Sequence, residues 1–530
     1  MNAETLASAA LPTRAPLSAR TRNGAAVAAT ALALGAAGDA LLRPVPWGLN
    51  LTLWTALFVA AAAGLQRRAE TEDAMAGWMP VALAVAALAS WRDSPTLKAL
   101  DLAALCVILG LAVYRASGGS VRVAGLARYC AGLLQAVFEA TCGAGVLLGR
   151  DIRWRELRGE AGWTRNALAV GRGAALALPL LLIFGSLLMS ADAGFDRLIG
   201  RTFAFDFPLA ASHTGLALLF AWGAAGVLRA LVNPSPPTAL PPAGATAAAA
   251  PAAPKPRLGV VETATVLGLL DLLFLAFVVL QLPHFFGSYG DLLAPGAETF
   301  SAYARRGFFE LCAVAGLVLP LLMTVHWLAD GDARGERVFR IAAGAMVGLV
   351  FVIILSALHR MRLYQSAYGL TELRVYTTAF MLWLTAVFAW FCWTVLRGRR
   401  ERFAFGAVTA AVETIVLLHV ASPDALIVRV NAARAESAVR FDAVYAASLS
   451  GDAVPALLRR LDALPADARC HVARTLLRDW SGADEDWRAW SLGRSRAVAS
   501  VRARAAELRG MCPAAAPTAP AASAQARSRS

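Results

Sequence analysis

The polar residues that could do chemistry in this chain are concentrated in one short stretch, residues 359–376, which reads HRMRLYQSAYGLTELRVY. It carries one histidine, three arginines, one glutamate and three tyrosines between two mostly apolar segments. Gly369 is typical of the residue that ends a helix, and Thr371 followed by Glu372 is typical of a helix start. The stretch therefore predicts a helical hairpin whose first helix ends near Tyr368 and whose second helix begins at Glu372.

Three arginines on this hairpin require a partner, because our topology places it on the outer face of a membrane, where arginine is disfavoured. Arginine binds phosphate and carboxylate groups through parallel N–H donors. We predict that the hairpin joins the outer loops 191–207 and 283–306 in one polar cluster. The cluster is either a structural network of ion pairs or a site for an anionic ligand. Its candidate members are Arg305, Arg306, Glu310, Arg360, Arg362, Tyr364, Tyr368, Glu372, Arg374, Asp192 and Asp196.

Two carboxylates inside apolar segments are further candidates, because an ionisable group in lipid is costly and is often functional. Asp271 lies near the middle of VLGLLDLLFLAFVVLQL, and Asp39 lies near the outer end of the first predicted span. Asp271 is either a proton or cation site, or a structural carboxyl that forms a packing hydrogen bond or stays protonated. In the polar C-terminal part, Cys470 and Cys512 are a candidate disulfide pair.

Motifs of known catalytic chemistry are absent from the sequence. It contains no H-E-x-x-H, no C-x-x-C, no Walker A loop and no G-x-S-x-G pattern. The three adjacent acidic residues at 484–486 do not converge on one point and are typical of a helix start. We therefore predict no metal site, no cofactor and no catalytic residue, and we favour a protein that is not an enzyme.

The composition indicates lipid as the surroundings of these elements. Of the 530 residues 58% are hydrophobic and only 16% are charged, against about 25% charged in an average soluble domain. The net charge of +14 does not indicate a nucleic-acid partner, because the basic residues mostly flank apolar runs instead of forming one stripe. The expected partners are the lipid bilayer and either an anionic lipid or an envelope protein.

A spanning helix needs about 20 mostly apolar residues, and the chain has about eleven such segments, within a range of about 10–13. The predicted fold is all-α: a polytopic α-helical membrane protein with a small C-terminal soluble helical domain. The predicted spans are 24–42, 48–65, 75–90, 98–114, 173–190, 208–231, 261–282, 307–327, 341–358, 373–396 and 403–421.

The segment 129–148 is long enough to span, but it carries Gln135 and Glu139 and many small residues. With this segment outside the hydrocarbon and the N-terminus in the cytoplasm, 24 lysines and arginines lie inside and 10 outside. With the segment spanning, the numbers become 15 and 19. The positive-inside rule favours the first arrangement. We therefore predict an interfacial or re-entrant helix at 129–148, a cytoplasmic N-terminus and a periplasmic C-terminal domain.

Composition also divides the chain. A Pro/Ala-rich stretch cannot bury a core and separates two groups of spans, while the C-terminal part returns to helical spacing with polar residues between apolar ones. The predicted parts are 1–23, a cytoplasmic segment; 24–231, the first transmembrane group; 232–258, a disordered linker; 259–421, the second transmembrane group; 422–511, a soluble helical domain; and 512–530, a disordered tail.

Several blocks in the second half resemble a family of bacterial multi-spanning membrane proteins described as domain of unknown function 4173, related to 4153. Among them are LPLLLIFGSLLMSADAGFDRLI, LHRMRLYQSAYGLTELRVYTTAFMLW, SPDALIVRVNAAR and LSGDAVPALL. The resemblance covers roughly residues 173–505. It implies a bacterial inner-membrane protein with a hydrophilic helical C-terminal part. The family has no established activity, so the resemblance implies no catalytic residues.

Three functions remain open on these observations. The first is an envelope-associated sensor, scaffold or support protein that uses the outward-facing arginine- and tyrosine-rich cluster. The second is a transporter or channel for a small ion or anionic solute, with Asp271 in its path. The third is a membrane-embedded transferase with His359 or Glu372 as the acid–base group.

Overall fold

The described residues of the computed structural model are helical throughout the apolar segments. Among them no β-strand occurs, and one isolated bridge pairs Leu258 with Ala329. The chain is an all-α polytopic membrane protein. The structure describes residues 17–69, 77–157, 207–234, 258–286, 308–329, 332–435, 441–482 and 486–512, with a few isolated positions between 158 and 206.

Ten of the described helices are long and apolar enough to cross a membrane. They are Ala19–Leu42, Leu49–Ala69, Pro95–Ala116, Leu126–Asp151, Pro208–Val232, Val260–Leu280, Glu310–Leu328, Ala333–Tyr368, Glu372–Thr394 and Arg400–Ala421. Every predicted span except 75–90 and 173–190 coincides with one of them. The first of these forms a shorter apolar helix, Met79–Trp91, and the second lies outside the described residues.

The segment 129–148 belongs to a longer helix than we expected. The α-helix Leu126–Val146 continues through a π-helical turn, Leu147–Asp151, and the whole has the length and composition of a span. Its interfacial placement stays a prediction. The predicted linker 232–258 and tail 512–530 fall almost wholly outside the described residues.

By its internal contacts the chain divides into two units, of which the first comprises residues 1–87, 101–251 and 399–406. Its helices are α1 Ala19–Leu42, α2 Leu49–Ala69, α3 Met79–Trp91, α4 Pro95–Ala116, α5 Leu126–Val146, α6 Trp154–Leu157 and α7 Phe207–Val232; the last residues of α3 and the first of α4 fall in the second unit. Helix α7 packs along α1, α2 and α5.

Small residues allow this packing in the first unit. A Cβ added at Gly226 of α7 would collide with the backbone of Glu139 on α5, and one at Gly35 of α1 would collide with α7. Close backbone approach through glycine is the usual way in which membrane helices associate, because lipid offers no hydrophobic driving force between helices.

The second unit comprises residues 88–100, 252–398 and 407–530. Its long helices are α8 Val260–Phe286, α9 Phe308–Leu328, α10 Ala333–Tyr368, α11 Glu372–Thr394 and α12 Phe403–Ala421, whose first residues fall in the first unit. Helix α10 packs against α8, α9 and α11. Asp332 caps its start, where the side chain accepts a hydrogen bond from the Gly335 N–H at 2.8 Å.

Short helices of the same unit follow the last span. They are α13 Pro423–Ala435, α14 Ala443–Ser448, α15 Val454–Arg460, α16 Ala466–Trp480, α17 Leu492–Ala503 and α18 Ala505–Gly510. They enclose an apolar core of their own, with Leu457, Val472, Leu476 and Val501 fully or almost fully buried. Helix α16 presents one apolar face to this core, as its helical spacing predicts.

Candidate functional site

The hairpin between α10 and α11 has the ends that the sequence predicts: α10 ends at Tyr368 and α11 begins at Glu372. Gly369 adopts a φ of 78°, which favours glycine because a Cβ is strained in that region. Thr371 occupies the N-cap position, but its side chain makes no capping hydrogen bond. The N–H of Glu372 instead donates to the Tyr445 hydroxyl at 2.9 Å.

The turn of the hairpin is held by one asparagine of α13. The Asn431 amide nitrogen donates to the Leu370 carbonyl at 2.8 Å, and its amide oxygen accepts from the Leu370 N–H at 2.7 Å. One turn further along α13, the Arg434 guanidinium donates to the carbonyl of Ser366. Helix α13 therefore binds backbone groups that the end of a helix leaves without intrahelical partners. We call these contacts, together with the Glu372–Tyr445 hydrogen bond, the hairpin clamp.

Gly369 is required in the clamp for a second reason besides its backbone angle. A Cβ at this position would lie 2.6 Å from the Asn431 amide oxygen and 2.8 Å from an Arg434 nitrogen. Both distances are too short for real contacts, so the Asn431 and Arg434 side chains would have to move away from the turn and the clamp would lose their hydrogen bonds.

Arg374 lies beside the clamp and bonds within the hairpin itself. Its guanidinium donates to the Gly369 carbonyl at 2.5 Å and stacks over the Tyr364 ring with 4.0 Å to the centroid. Tyr368 contacts Tyr364 with ring centroids 5.1 Å apart. Arg374 thus has a carbonyl oxygen and an aromatic face as partners, and both attract a positively charged group.

Two buried aspartates connect residues 91–98 to the C-terminal helices. The Asp452 carboxylate accepts from the backbone N–H groups of Asp93 at 2.7 Å and Ser94 at 3.2 Å. The Asp93 carboxylate accepts in return from the Gly451 N–H at 3.1 Å and pairs with Lys98 at 3.1 Å. Three backbone N–H groups donate to the two carboxylates, so the contact fixes the backbones of the two segments relative to each other.

Burial changes the acidity of the carboxylates near the clamp. Desolvation raises the pKa of Asp424 to about 6, although its side chain also accepts a hydrogen bond from the Ser450 hydroxyl. Desolvation raises the pKa of Asp452 as well, against the lowering effect of its hydrogen bonds and of Arg92. Asp424 lies at the start of α13 and is almost fully buried.

Only some members of the predicted polar cluster lie in the part of the chain that the structure describes. Arg305, Arg306, Asp192 and Asp196 lie outside the described residues. The structure brings Tyr364, Tyr368 and Arg374 together and places Glu372 against Tyr445. Arg360 is half-buried on α10, whereas Arg362 and Glu310 are exposed on α10 and α9. The joining of the hairpin to the two outer loops stays a prediction.

The two intramembrane aspartates differ in their surroundings. Asp39 of α1 accepts hydrogen bonds from Arg43 at 2.6 Å and bonds His213 at 2.5 Å, so its charge has partners. Asp271 is half-buried on α8, and one of its carboxylate oxygens is buried without a hydrogen-bond partner in the described part of the chain. A disulfide joins Cys470 to Cys512, with 4.9 Å between the Cα atoms. The described residues contain no group of histidine, cysteine or acidic side chains that could hold a metal ion.

Comparison with protein family models shows which family the chain is related to. A family model described as domain of unknown function (DUF4153) matches residues 79–460, which is most of the chain. The chain belongs to this family. The sequence blocks resemble domain 4173 and its relative 4153, and the family model that matches is that of 4153. No curated protein and no solved structure matches the chain.

The DUF4153 match contains the whole hairpin clamp and the Asp93–Asp452 pair, whereas the disulfide lies beyond its end. Sequence reasoning missed Asn431, Asp93 and Asp452 as site residues. Two of them stand in blocks that carried the resemblance, SPDALIVRVNAAR and LSGDAVPALL. The signal that could have found Asn431 is an asparagine inside a helix, where its propensity is poor.

Proposed function

We propose that this DUF4153 protein is an envelope-associated support, scaffold or sensor protein of a bacterial inner membrane. Its spans would anchor the helices α13–α18, which would be the working part. The hairpin clamp carries the proposal: Asn431 bonds both backbone groups of Leu370, so the C-terminal helices are fixed to the backbone of a spanning hairpin. Helices α13–α18 have their own apolar core and are attached to the hairpin by hydrogen bonds, so they are suited to bind a partner at the membrane surface.

Two observations support an outward-facing C-terminal region. The positive-inside count favours it when the helix at 129–148 lies at the interface. The disulfide between Cys470 and Cys512 also supports it, because disulfides persist in oxidising compartments such as the periplasm. The same count favours a cytoplasmic N-terminus.

The function is tested by complementation of a strain that lacks the gene, with survival under detergent stress as the readout. We expect the full chain and Asn23→Ala to restore survival, since the Asn23 amide oxygen has no hydrogen-bond partner among the described residues. We expect Asn431→Ala to restore it only in part, at equal amounts of protein in the membrane. Full rescue by a chain that stops after residue 421 would refute the role of the C-terminal helices.

The side of the C-terminal region is tested by labelling Cys470 and Cys512 with a membrane-impermeant maleimide. We expect labelling in cells whose outer membrane alone is permeabilised, and only after reduction of the disulfide. Labelling that requires lysis of the inner membrane would place the region in the cytoplasm and would indicate that the helix at 129–148 spans.

Transport of a small ion is a second candidate, favoured by a carboxylate oxygen of Asp271 on α8 that is buried without a hydrogen-bond partner among the described residues. Ionisable groups within spans often mark ion pathways. If the protein transports protons or cations, Asp271→Asn abolishes flux in proteoliposomes and leaves the clamp intact. Absence of flux in the unmodified protein, measured with proton- and sodium-sensitive dyes, would remove this candidate.

A further inference from the structure

A polar cavity of about 310 Å³ lies in the second unit, beside the end of the last span. Its walls come from the residue after α3, from the junction of α12 and α13, from the segment around Asp452, and from α15 and α17. Ligand pockets begin at about 300 Å³, so the cavity has room for a small polar group and not for a whole lipid molecule.

Four arginines and one aspartate are the charged residues of the cavity wall. The arginines are Arg92, Arg429, Arg459 and Arg496, and the aspartate is Asp452. Arg92 is held in place, because it donates to the His419 carbonyl at 2.8 Å and lies 3.7 Å from the Asp452 carboxylate. These five side chains leave the cavity with an excess of positive charge.

Three of these arginines have no acidic partner within the described part of the chain. Arg459 and Arg496 are exposed and form no ion pair there, and Arg429 bonds only the carbonyl of Ala425, at 3.2 Å. They come from three different helices, α13, α15 and α17, that meet at one cavity. Unpaired guanidinium groups that converge in this way repel one another, and a bound anion would remove the repulsion.

Two buried polar groups in the same wall also lack a partner. The Ser422 residue is 6% exposed, and its hydroxyl forms no hydrogen bond among the described residues. Ser422 also has a φ of 52°, a strained value for a residue with a side chain, at the junction of α12 and α13. The Asp452 side chain is 3% exposed, and its oxygen nearest Arg92 accepts no hydrogen bond in that part of the chain. A buried polar group without a partner is costly, so each favours a ligand that bonds it.

The cavity lies at the depth of lipid head groups if α12 crosses the membrane. The candidate span Arg400–Ala421 has 22 residues, which corresponds to about 33 Å and thus to the full hydrocarbon thickness. Val420, Ala421 and Ser422, at its end, line the cavity. Trp91 lies nearby, with its ring tilted against that of His419 at 6.0 Å between centroids, and tryptophan is enriched at membrane interfaces.

We propose that this cavity binds a phosphate group, carried either by an anionic lipid head group or by free phosphate. Arg459, Arg496 and Arg429 bind the phosphate oxygens, and the Ser422 hydroxyl donates to one of them. Asp452 orients Arg92 and accepts a hydrogen bond from a hydroxyl of the ligand, which favours a hydroxyl-bearing ligand over a choline lipid. This inference does not depend on the proposed support role.

The test uses the full chain purified in detergent without phosphate, with binding measured by isothermal titration calorimetry. The probes are inorganic phosphate, short-chain phosphatidylglycerol and short-chain phosphatidylcholine. We expect binding of the first or second probe, and weaker binding of the third. In the double variant Arg459→Gln, Arg496→Gln the affinity should fall at least about tenfold, since each lost charged hydrogen bond is worth a factor of about ten or more.

Arg474→Gln is the matched control, because Arg474 is an exposed arginine of α16 outside the cavity and without an ion pair in the described residues. It should bind as the unmodified chain does. Binding of phosphatidylglycerol alone assigns the site to a lipid, and binding of inorganic phosphate that the lipid does not displace assigns it to free phosphate. The proposal would be overturned if neither inorganic phosphate nor phosphatidylglycerol binds, or if Arg474→Gln loses as much affinity as the double variant. Ser422→Ala, which removes no charge, should weaken binding without changing helix content.

Discussion

The hairpin clamp makes a prediction that can be worked out from its two central hydrogen bonds. Asn431→Ala removes the donor to the Leu370 carbonyl and the acceptor of the Leu370 N–H, which lie at 2.8 Å and 2.7 Å. Each neutral hydrogen bond contributes about 1 kcal/mol net, and both Leu370 groups are left without this partner. The free energy of opening the turn should therefore fall by about 2 kcal/mol.

Hydrogen–deuterium exchange of the peptide that contains residues 366–372 measures this opening directly. A loss of about 2 kcal/mol corresponds to exchange that is about 30-fold faster at the Leu370 amide. Asn431→Asp separates the two bonds, because it keeps the acceptor and loses the donor. The Leu370 carbonyl then loses its partner while the N–H keeps its acceptor, so about 1 kcal/mol is lost and the Leu370 amide should exchange only about fivefold faster.

Asn23→Ala is the control, since that amide oxygen has no hydrogen-bond partner in the described chain and lies in the other unit. Its exchange at 366–372 should equal that of the unmodified protein. Unchanged exchange of the Leu370 amide in Asn431→Ala would refute the clamp. Equal acceleration in Asn431→Asp would show that helix displacement, and not the loss of the acceptor, controls the turn.

Three further outcomes follow from other contacts. Because burial raises the pKa of Asp424 from 3.8 to about 6, the folded chain binds more protons than the unfolded chain between these values. The contribution of the protonated Asp424 carboxyl to the unfolding free energy is complete below about pH 4 and falls by at most about 3 kcal/mol as the pH rises past 6. Asp424→Asn should therefore flatten this part of the curve of melting temperature against pH. Replacing Cys470 and Cys512 by serine should lower the unfolding free energy of the C-terminal helices by about 4 kcal/mol in the chain-entropy account, measured by denaturant melts; an unchanged midpoint would contradict it. Gly226→Ala should reduce the yield of folded protein in size-exclusion chromatography, because its Cβ would collide with α5, whereas Gly223→Ala, with open space around its Cβ, should not.

The ends of the hairpin helices could be predicted because their signals are local. Gly369 ends α10 through its own backbone angle, and Glu372 opens α11 within the next few residues. The partner of the turn could not be predicted in this way. Asn431 lies 61 residues further along the chain than Leu370, and no spacing in a single sequence relates two such positions.

The polarity of segment 129–148 shows the same limit. From the sequence, Gln135 and Glu139 favour a helix at the membrane surface, because both groups seek water. In the structure the Glu139 side chain is buried and pairs with Arg229 of α7 at 2.8 Å, and Arg229 also pairs with Asp151 at 2.7 Å. Gln135 bonds the hydroxyl of Ser117 at 3.2 Å. A polar residue in an apolar segment thus has two solutions, water or a partner on another helix. The partner of Glu139 removes its polarity as a reason to place this helix at the surface and leaves the count of basic residues as the reason for that prediction.

The arginines of the hairpin illustrate why a count of charges alone does not define a site. We expected the hairpin arginines, Arg374 among them, to require a partner from the outer loops or from an anionic ligand, because an outward-facing arginine is disfavoured. Its observed partners are the Gly369 carbonyl and the Tyr364 ring, both supplied by the same hairpin. The end of a helix exposes carbonyl groups with partial negative charge, so an arginine that follows a helix end finds an acceptor within its own turn. Within the described residues Arg459 and Arg496 form no ion pair and have no local acceptor, and both line one cavity of the second unit. An arginine such as Arg474 also forms no ion pair there but lies outside that cavity, so convergence on a cavity, and not the missing partner alone, marks the candidate site.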